Sequence, residues 1–145
     1  MSALKSALSR VEIERLLPQK GAMCLIDAAL EVTADGIVCL ANVRTDGHPL
    51  GEVQGVPALH GVEYGAQAAA LHRLIHNGEQ GKVIGGLLLQ VRDLHFFVDH
   101  LDRLPQPLRI SARCAMASSE IARYIFEIRA GDLLASRGEL TLKLT

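Results

Sequence analysis

The sequence predicts an α+β fold in which one long buried helix is wrapped by a curved antiparallel sheet. Three observations predict it. The segment from Leu59 to Asn77 carries Ala66, Ala68, Ala69 and Ala70 and is apolar nearly all round from Val62 to Leu71. A helix apolar on every side is a buried helix, and small side chains let a sheet approach its backbone. Four β-like runs follow it, the later ones alternating apolar and polar residues with period two. Two further runs precede it, joined by a tight turn. A lone apolar helix and a sheet with one apolar face each need a cover, and wrapping the sheet around the helix provides both.

In chain order, Val11 to Leu17 reads as a short helix with Ile13, Leu16 and Leu17 on one side, stopped by Pro18. Ser9 with Glu12 three residues on is a capping-box pattern. Gln19-Lys20-Gly21 is a turn. Met23 to Val32 reads as a strand and Ile37 to Val43 as its partner, with Ala34-Asp35-Gly36 supplying the hairpin turn. Thr45 to Val56 is a loop rich in Gly, Asp and Pro that carries His48. The central helix follows, with Asn77-Gly78 as its stop. The later strands are Val83 to Val91 extending toward Val98, Leu108 to Ala117, Ile121 to Ala130, and Leu133 to Leu144. Leu108, Ile110, Ala112, Cys114 and Met116 share one parity, against Arg109, Ser111 and Arg113 on the other. Leu140, Leu142 and Leu144 alternate with Thr141, Lys143 and Thr145. Ala130-Gly131-Asp132 is a clear turn, Ser118-Ser119-Glu120 a weaker one. Gly85-Gly86 permits close backbone approach. A sheet of about six strands leaves edges exposed, which predicts a homodimer or higher homo-oligomer joined edge to edge.

The 145 residues predict a single domain, 1–145. Hydrophobic residues make up 49% but aromatics only 3%, so the core must be built from Leu, Ile, Val and Ala. A net charge of −1 gives no whole-chain case for nucleic acid. Cys24, Cys39 and Cys114 are odd in number, far apart and set in apolar stretches, which reads as reduced core residues. They have no metal-like spacing, so no metal is expected. Met1 to Arg10 has no long apolar run, and no stretch approaches the ~20 apolar residues of a membrane span. A soluble, cytoplasmic protein without a membrane partner is expected. No phosphate loop, Gly-x-Ser-x-Gly or dinucleotide fingerprint is present, so no cofactor is expected.

Two local motifs stand in a telling order. Leu16-Leu17-Pro18 precedes Met23-Cys24-Leu25-Ile26-Asp27, and Glu63-Tyr64-Gly65-Ala66-Gln67 opens the central helix, with Pro57 six residues before Glu63. Over nearly its whole length the chain resembles the hot-dog β-hydroxyacyl-acyl-carrier-protein dehydratases of type II fatty acid synthesis. It is most similar to the divergent predicted 3-hydroxyacyl-ACP dehydratase branch of aryl-polyene-like pathways. The resemblance implies a hot-dog fold and a lyase that forms a trans-2-enoyl thioester. It also implies an acyl carrier protein or CoA thioester as substrate, and a His and a Glu contributed by different subunits. The chain departs from the family at several points. The family's Gly-His-Phe-Pro-Gly loop is here Gly47-His48-Pro49-Leu50-Gly51, one residue further from Glu63, Pro57-Ala58 replaces Pro-Gly, and Tyr64 is atypical of the ordinary dehydratases.

Dehydration of a 3-hydroxyacyl thioester needs a base at C2, an acid for the departing hydroxyl, and donors for the carbonyl oxygen. His48 suits the base, since a neutral imidazole is available near pH 7. Glu63 suits the acid if its pKa is raised; burial would raise it and the helix N-terminus would oppose that. The ordinary reading of Glu63 is a first-turn helix acid, and that of His48 a surface loop histidine. His60 shares a helix face with Glu63 and either replaces or assists His48, or simply caps the helix. Gln67, one turn further along, either orients Glu63 or satisfies a buried backbone group. Free N–H groups near His60, Gly61 and Val62 are candidates to hold the carbonyl oxygen.

His72 and His76 have the i, i+4 spacing of a metal pair but no third ligand, and read as a solvated face with Arg73 and Asn77. Phe96-Phe97-Val98, between His95 and His100, reads as core or dimer packing rather than acyl-tunnel wall. Lys82, Arg92, Arg109 and Arg113 are candidate contacts for an acidic carrier protein. Two other functions compete with the lyase: thioester hydrolysis through Glu63 without a histidine, and non-catalytic acyl binding.

Overall fold

The first helix forms where its capping chemistry stands. In the computed structural model, which describes residues 3–5, 7–79 and 86–144, α1 (Arg10–Leu16) follows Ser9. The Ser9 hydroxyl accepts from the Glu12 amide, and the Glu12 carboxylate accepts from the Ser9 amide. This reciprocal pair satisfies two donors of the first turn. Ile13 and Leu17 enter the core. Arg10 binds Asp27 at 2.7 Å and donates to the carbonyls of Gly21 and Cys24, docking α1 on the segment that follows.

The expected hairpin is present as β2 (Ala28–Thr33) and β3 (Gly36–Ala41), joined at Ala34-Asp35. β2 begins at Ala28 rather than Met23. Gly21–Met23 is a 3-10 turn, and the Met23 carbonyl and Leu25 amide bond to the Gln67 side chain. Backbone groups spent on a helix side chain are withdrawn from a strand ladder. A short strand that the sequence did not reveal, β1 (Ala3–Lys5), pairs with β2. Three residues are too few to show a period.

A 3-10 turn (Ala58–His60) leads into α2 (Gly61–Glu79). Ala68, Ala69 and Leu71 are fully buried, as the alanine-rich segment predicts. At Gly65 an added Cβ would lie 2.6 Å from Phe126 Cγ, so glycine is what lets that ring reach the helix. The expected stop at Asn77-Gly78 is overridden, and the helix continues to Glu79. Ile75 and Asn77 are buried, and tertiary packing of a last turn outweighs a local stop preference.

The remaining strands are β4 (Gly86–Phe96), β5 (Leu108–Ala117), β6 (Ile121–Ala130) and β7 (Leu133–Leu144). Val83 to Gly85 and Lys82 lie outside the described residues. The sheet is antiparallel throughout, in the order β1-β2-β3-β5-β6-β7-β4, with α2 against its inner face. Leu108, Ile110 and Ala112 face the core while Arg109 and Arg113 face out. Phe96 and Phe97 are not core residues: they are 42% and 56% exposed at the end of the β4 edge. Cys24 and Cys39 are buried and Cys114 is half-buried; burial pushes the Cys39 thiol up to about 12, which leaves it inert. Among the described residues no helix is long and apolar enough to cross a membrane.

The reading of His72 and His76 as a solvated face with Arg73 and Asn77 is overturned. His72 is fully buried, and Arg73 and Asn77 are 8% and 6% exposed. The sheet curls past the helix end, and Tyr124 on β6 meets His72 there. His72 Nε2–H donates to the Thr33 carbonyl at 2.8 Å, which leaves Nδ1 to accept from the Tyr124 hydroxyl. Burial lowers the His72 pKa. The neighbouring charges of Arg73 and His76 lower it further, and the Thr33 bond and Asp35 oppose them. The unfolded chain therefore takes up this proton first as pH falls. The stability that neutral His72 contributes is complete above the ordinary histidine value of ~6.5 and is lost progressively below it. The urea midpoint is expected to drop as the pH falls through the ordinary histidine value of ~6.5, and His72→Gln to flatten that drop. An unchanged slope in the variant would place the acid sensitivity elsewhere.

Candidate functional site

The start of α2 is held from three sides. The Val56 amide donates to Asp102 Oδ1 at 2.8 Å. The Leu101 amide donates to the Val56 carbonyl, and the Ala58 amide to the Asp99 carbonyl, both at 2.9 Å. At Gly61 an added Cβ would meet Ile128 Cδ1 at 2.8 Å, so the helix start lies directly against β6. Loop 45–56 enters this clamp from the β3 side.

Glu63 and Tyr64 are successive helix residues and so point about 100° apart. Each faces its own hollow. Glu63, His60, Val62, Leu50, Leu59, Val91 and Leu94 line one of about 350 Å³. Its wall is aliphatic apart from the histidine and the carboxylate. Tyr64 and His48 line a smaller one of about 80 Å³ with Arg10, Arg44, Asp46 and Cys24. Within one chain His60 and Glu63 therefore share a hollow, and His48 and Glu63 do not. A larger depression of about 480 Å³ lies over β2, β3, β5, β6 and β7, rimmed by Glu31, Glu127, Arg113 and Arg137 around Val38 and Ile125; none of the candidate catalytic or acyl-binding residues lines it.

Gln67 makes contacts of both kinds, to the backbone and to Glu63. Its side-chain oxygen accepts from the Leu25 amide at 2.9 Å, and its nitrogen donates to the Met23 carbonyl at 2.8 Å and to Glu63 Oε1 at 3.2 Å. It is buried, so the amide it caps has no water to turn to. Gln67→Leu is expected to cost about 1–3 kcal/mol in urea unfolding, through the orphaned Leu25 amide. A loss below a few tenths would show that this segment simply re-pairs.

The expectation of free N–H groups ahead of the helix fails at two of its three positions. The 3-10 turn consumes them: the His60 amide donates to the Pro57 carbonyl at 3.1 Å, and that of Gly61 to the carbonyls of Ala58 and Leu59. Val62 contributes its side chain to the hollow's wall.

The loop around His48 is a tight turn: the Gly51 amide donates to the His48 carbonyl at 3.0 Å, with Pro49 at the position that favours its fixed φ. The Leu50 amide donates to His48 Nδ1 at 3.0 Å, and His48 Nε2 lies 2.7 Å from the Tyr64 hydroxyl. Tyr64 is buried, and burial, then the charge of Asp27, raises its pKa. Burial lowers the pKa of His48, the charge of His60 adds to this, and Asp102 opposes it. The Tyr64 contact was not foreseen. Its signal in the sequence was the tyrosine itself, next to the candidate acid and atypical of the ordinary dehydratases.

No match was found among curated proteins. Among solved structures, the dehydratase heterocomplex ApeI:P from Xenorhabdus doucetiae aligns with a TM-score of 0.82 at 22% identity, covering 92% of this chain and 90% of that one. A thioesterase from Haemophilus influenzae aligns at 0.67 and 14% identity over 100% of this chain and 95% of that one. A mutant thioesterase from Pseudomonas aeruginosa aligns at 0.63 and 10% identity over 83% and 81%. These likenesses show the hot-dog fold. A family model described as ApeP dehydratase matches residues 11–143, nearly the whole chain, and the chain therefore belongs to the ApeP-like dehydratase family.

Proposed function

We propose that this chain removes water from a 3-hydroxyacyl group held as a thioester on an acyl carrier protein, giving the trans-2-enoyl thioester. Membership of a dehydratase family makes the chemistry that of a lyase. The observation that carries the finer reading is the Glu63 carboxyl in the wall of an aliphatic hollow of about 350 Å³, with His60 beside it. Glu63 gives its proton to the departing 3-hydroxyl, and a histidine, His60 or His48, takes the C2 proton. Gln67 holds Glu63 in position, and Val62 forms part of the bed for the acyl group. Water is kept from the reacting carbons by Leu50, Leu59, Val91 and Leu94.

The working unit of this reading is a dimer or larger assembly joined along β4, whose edge carries exposed Leu89 and Phe96. It is a homo-oligomer, or a mixed assembly like the heterocomplex to which the chain is similar. Arg92, Arg109 and Arg113 are exposed and available to an acidic carrier protein.

The test is mass spectrometry of a 3-hydroxyacyl carrier protein incubated with the protein. Loss of one water, with the thioester intact, supports the lyase. Release of the acyl group favours the second reading, hydrolysis through Glu63, which the thioesterase fold neighbours motivate. Intact substrate throughout favours a binding subunit.

A further inference from the structure

We infer that His48 is not the base but a positioning residue, which with Tyr64 fixes Leu50 as a wall of the Glu63 hollow, and that the base is His60. This rests on the dehydratase reading above and sharpens it.

The argument starts from what an imidazole has to offer. A neutral ring has one N–H and one lone pair. The lone pair of His48 Nδ1 is engaged by the Leu50 amide at 3.0 Å. The proton is therefore on Nε2, which donates to the Tyr64 hydroxyl at 2.7 Å. Which nitrogen carries the proton is assigned from this network. Such a ring has no lone pair left for a C2 proton. Protonation at Nδ1 would set an N–H against the Leu50 N–H, so the same contact resists the cation. Burial and the nearby His60 act in the same direction, against Asp102. Arg10, Arg44 and Asp46 are the other charged groups lining this hollow.

The two bonds do mechanical work instead. One runs to the loop's own backbone and the other to the buried helix residue Tyr64, so the ring staples the turn His48-Pro49-Leu50-Gly51 to α2. Leu50, the apolar tip of that turn, lines the Glu63 hollow. His60 faces that hollow directly, and among the described residues no hydrogen bond occupies its ring. It stands three residues before Glu63, at the end of the 3-10 turn that leads into α2.

The first arm of the test needs no turnover. Nitrogen-15 NMR of the imidazole rings in the full chain is expected to show His48 with a bare Nδ1 and a protonated Nε2 at neutral pH, and the Nε2 signal is expected to move in Tyr64→Phe. A protonated Nδ1 in the wild type would overturn the inference. The second arm is kinetic. His60→Gln is expected to reduce kcat by about 10²–10⁴-fold and remove the acidic limb of the pH profile. His48→Asn and Tyr64→Phe are expected to raise KM through a loosened wall while that limb persists. Loss of the limb in His48→Asn, with retention in His60→Gln, would make His48 the base. A wild type that eliminates no water defeats the dehydratase reading itself, and the NMR arm then decides the role of His48 alone.

Discussion

Replacing Glu63 by Gln is expected to slow elimination by about 10²–10⁴-fold, the usual worth of a positioned acid or base. The change is nearly isosteric and occurs in a half-buried side chain at the start of α2. The amide can still accept from Gln67 through its oxygen, so the contact made at 3.2 Å in the native chain has a substitute. What is lost is the proton for the departing hydroxyl. The effect should therefore fall on kcat and kcat/KM alike, with the urea midpoint little changed. Single-turnover water loss followed by mass spectrometry measures it. A Glu63→Gln variant that eliminates at the wild-type rate would remove the carboxyl from the mechanism, whichever histidine serves as base.

The second large effect is structural. The Phe126 ring on β6 is pinched between two glycines. A Cβ at Gly65 would lie 2.6 Å from its Cγ, and a Cβ at Gly138 on β7 would lie 2.9 Å from its Cε1. The ring cannot retreat from the helix without striking the strand. Alanine suits a helix interior better than glycine by about 1 kcal/mol, yet Gly65→Ala is expected to destabilise by about 1–3 kcal/mol because overpacking wins. Phe126→Ala is expected to cost about 3–5 kcal/mol as a buried aromatic deletion. Combined, the two should not add: with the ring gone, the new methyl group enters the space left and its helix preference reappears. Urea unfolding of all four proteins gives the coupling. Strict additivity would mean that the helix simply lifts away from the sheet. Leu94 Cδ1 lies 3.0 Å from the same Gly138 position and also lines the Glu63 hollow, so Phe126→Ala should loosen the acyl bed as well.

What the sequence disclosed follows from how regular each signal is. The alanine run of α2 and the parity of Leu108, Ile110 and Ala112 are periodic over enough residues to be read. Leu108–Ala117, Ile121–Ala130 and Leu133–Leu144 coincide with β5, β6 and β7. The failures are places where a distant partner decides. Met23 to Asp27 look like strand, but Gln67, far along the chain, takes the Met23 carbonyl and the Leu25 amide. His72 and Arg73 look like a polar surface, but β6 and its Tyr124 close over them. At the site, the sequence could name His48, His60 and Glu63 as chemically able. It could not say that Glu63 and Tyr64 would face different hollows, because that depends on how α2 is rotated against the sheet.

β3 and β5 are hydrogen-bonded neighbours, yet loop 45–56, α2 and β4 all lie between them in sequence. The candidate site is thus carried on an excursion of chain that leaves the sheet and returns to it. The entropy of closing such an excursion grows only with the logarithm of its length. One extra residue between His48 and Glu63, the departure from the ordinary dehydratases, costs about 0.01 kcal/mol on that scale. Thermodynamics therefore places almost no restraint on the spacing of loop histidine and helix carboxylate. In a chain whose His48 has taken up a mechanical role, that spacing is only weakly restrained by loop entropy, whereas His60 and Glu63 are held three residues apart across the 3-10 turn and the first turn of α2.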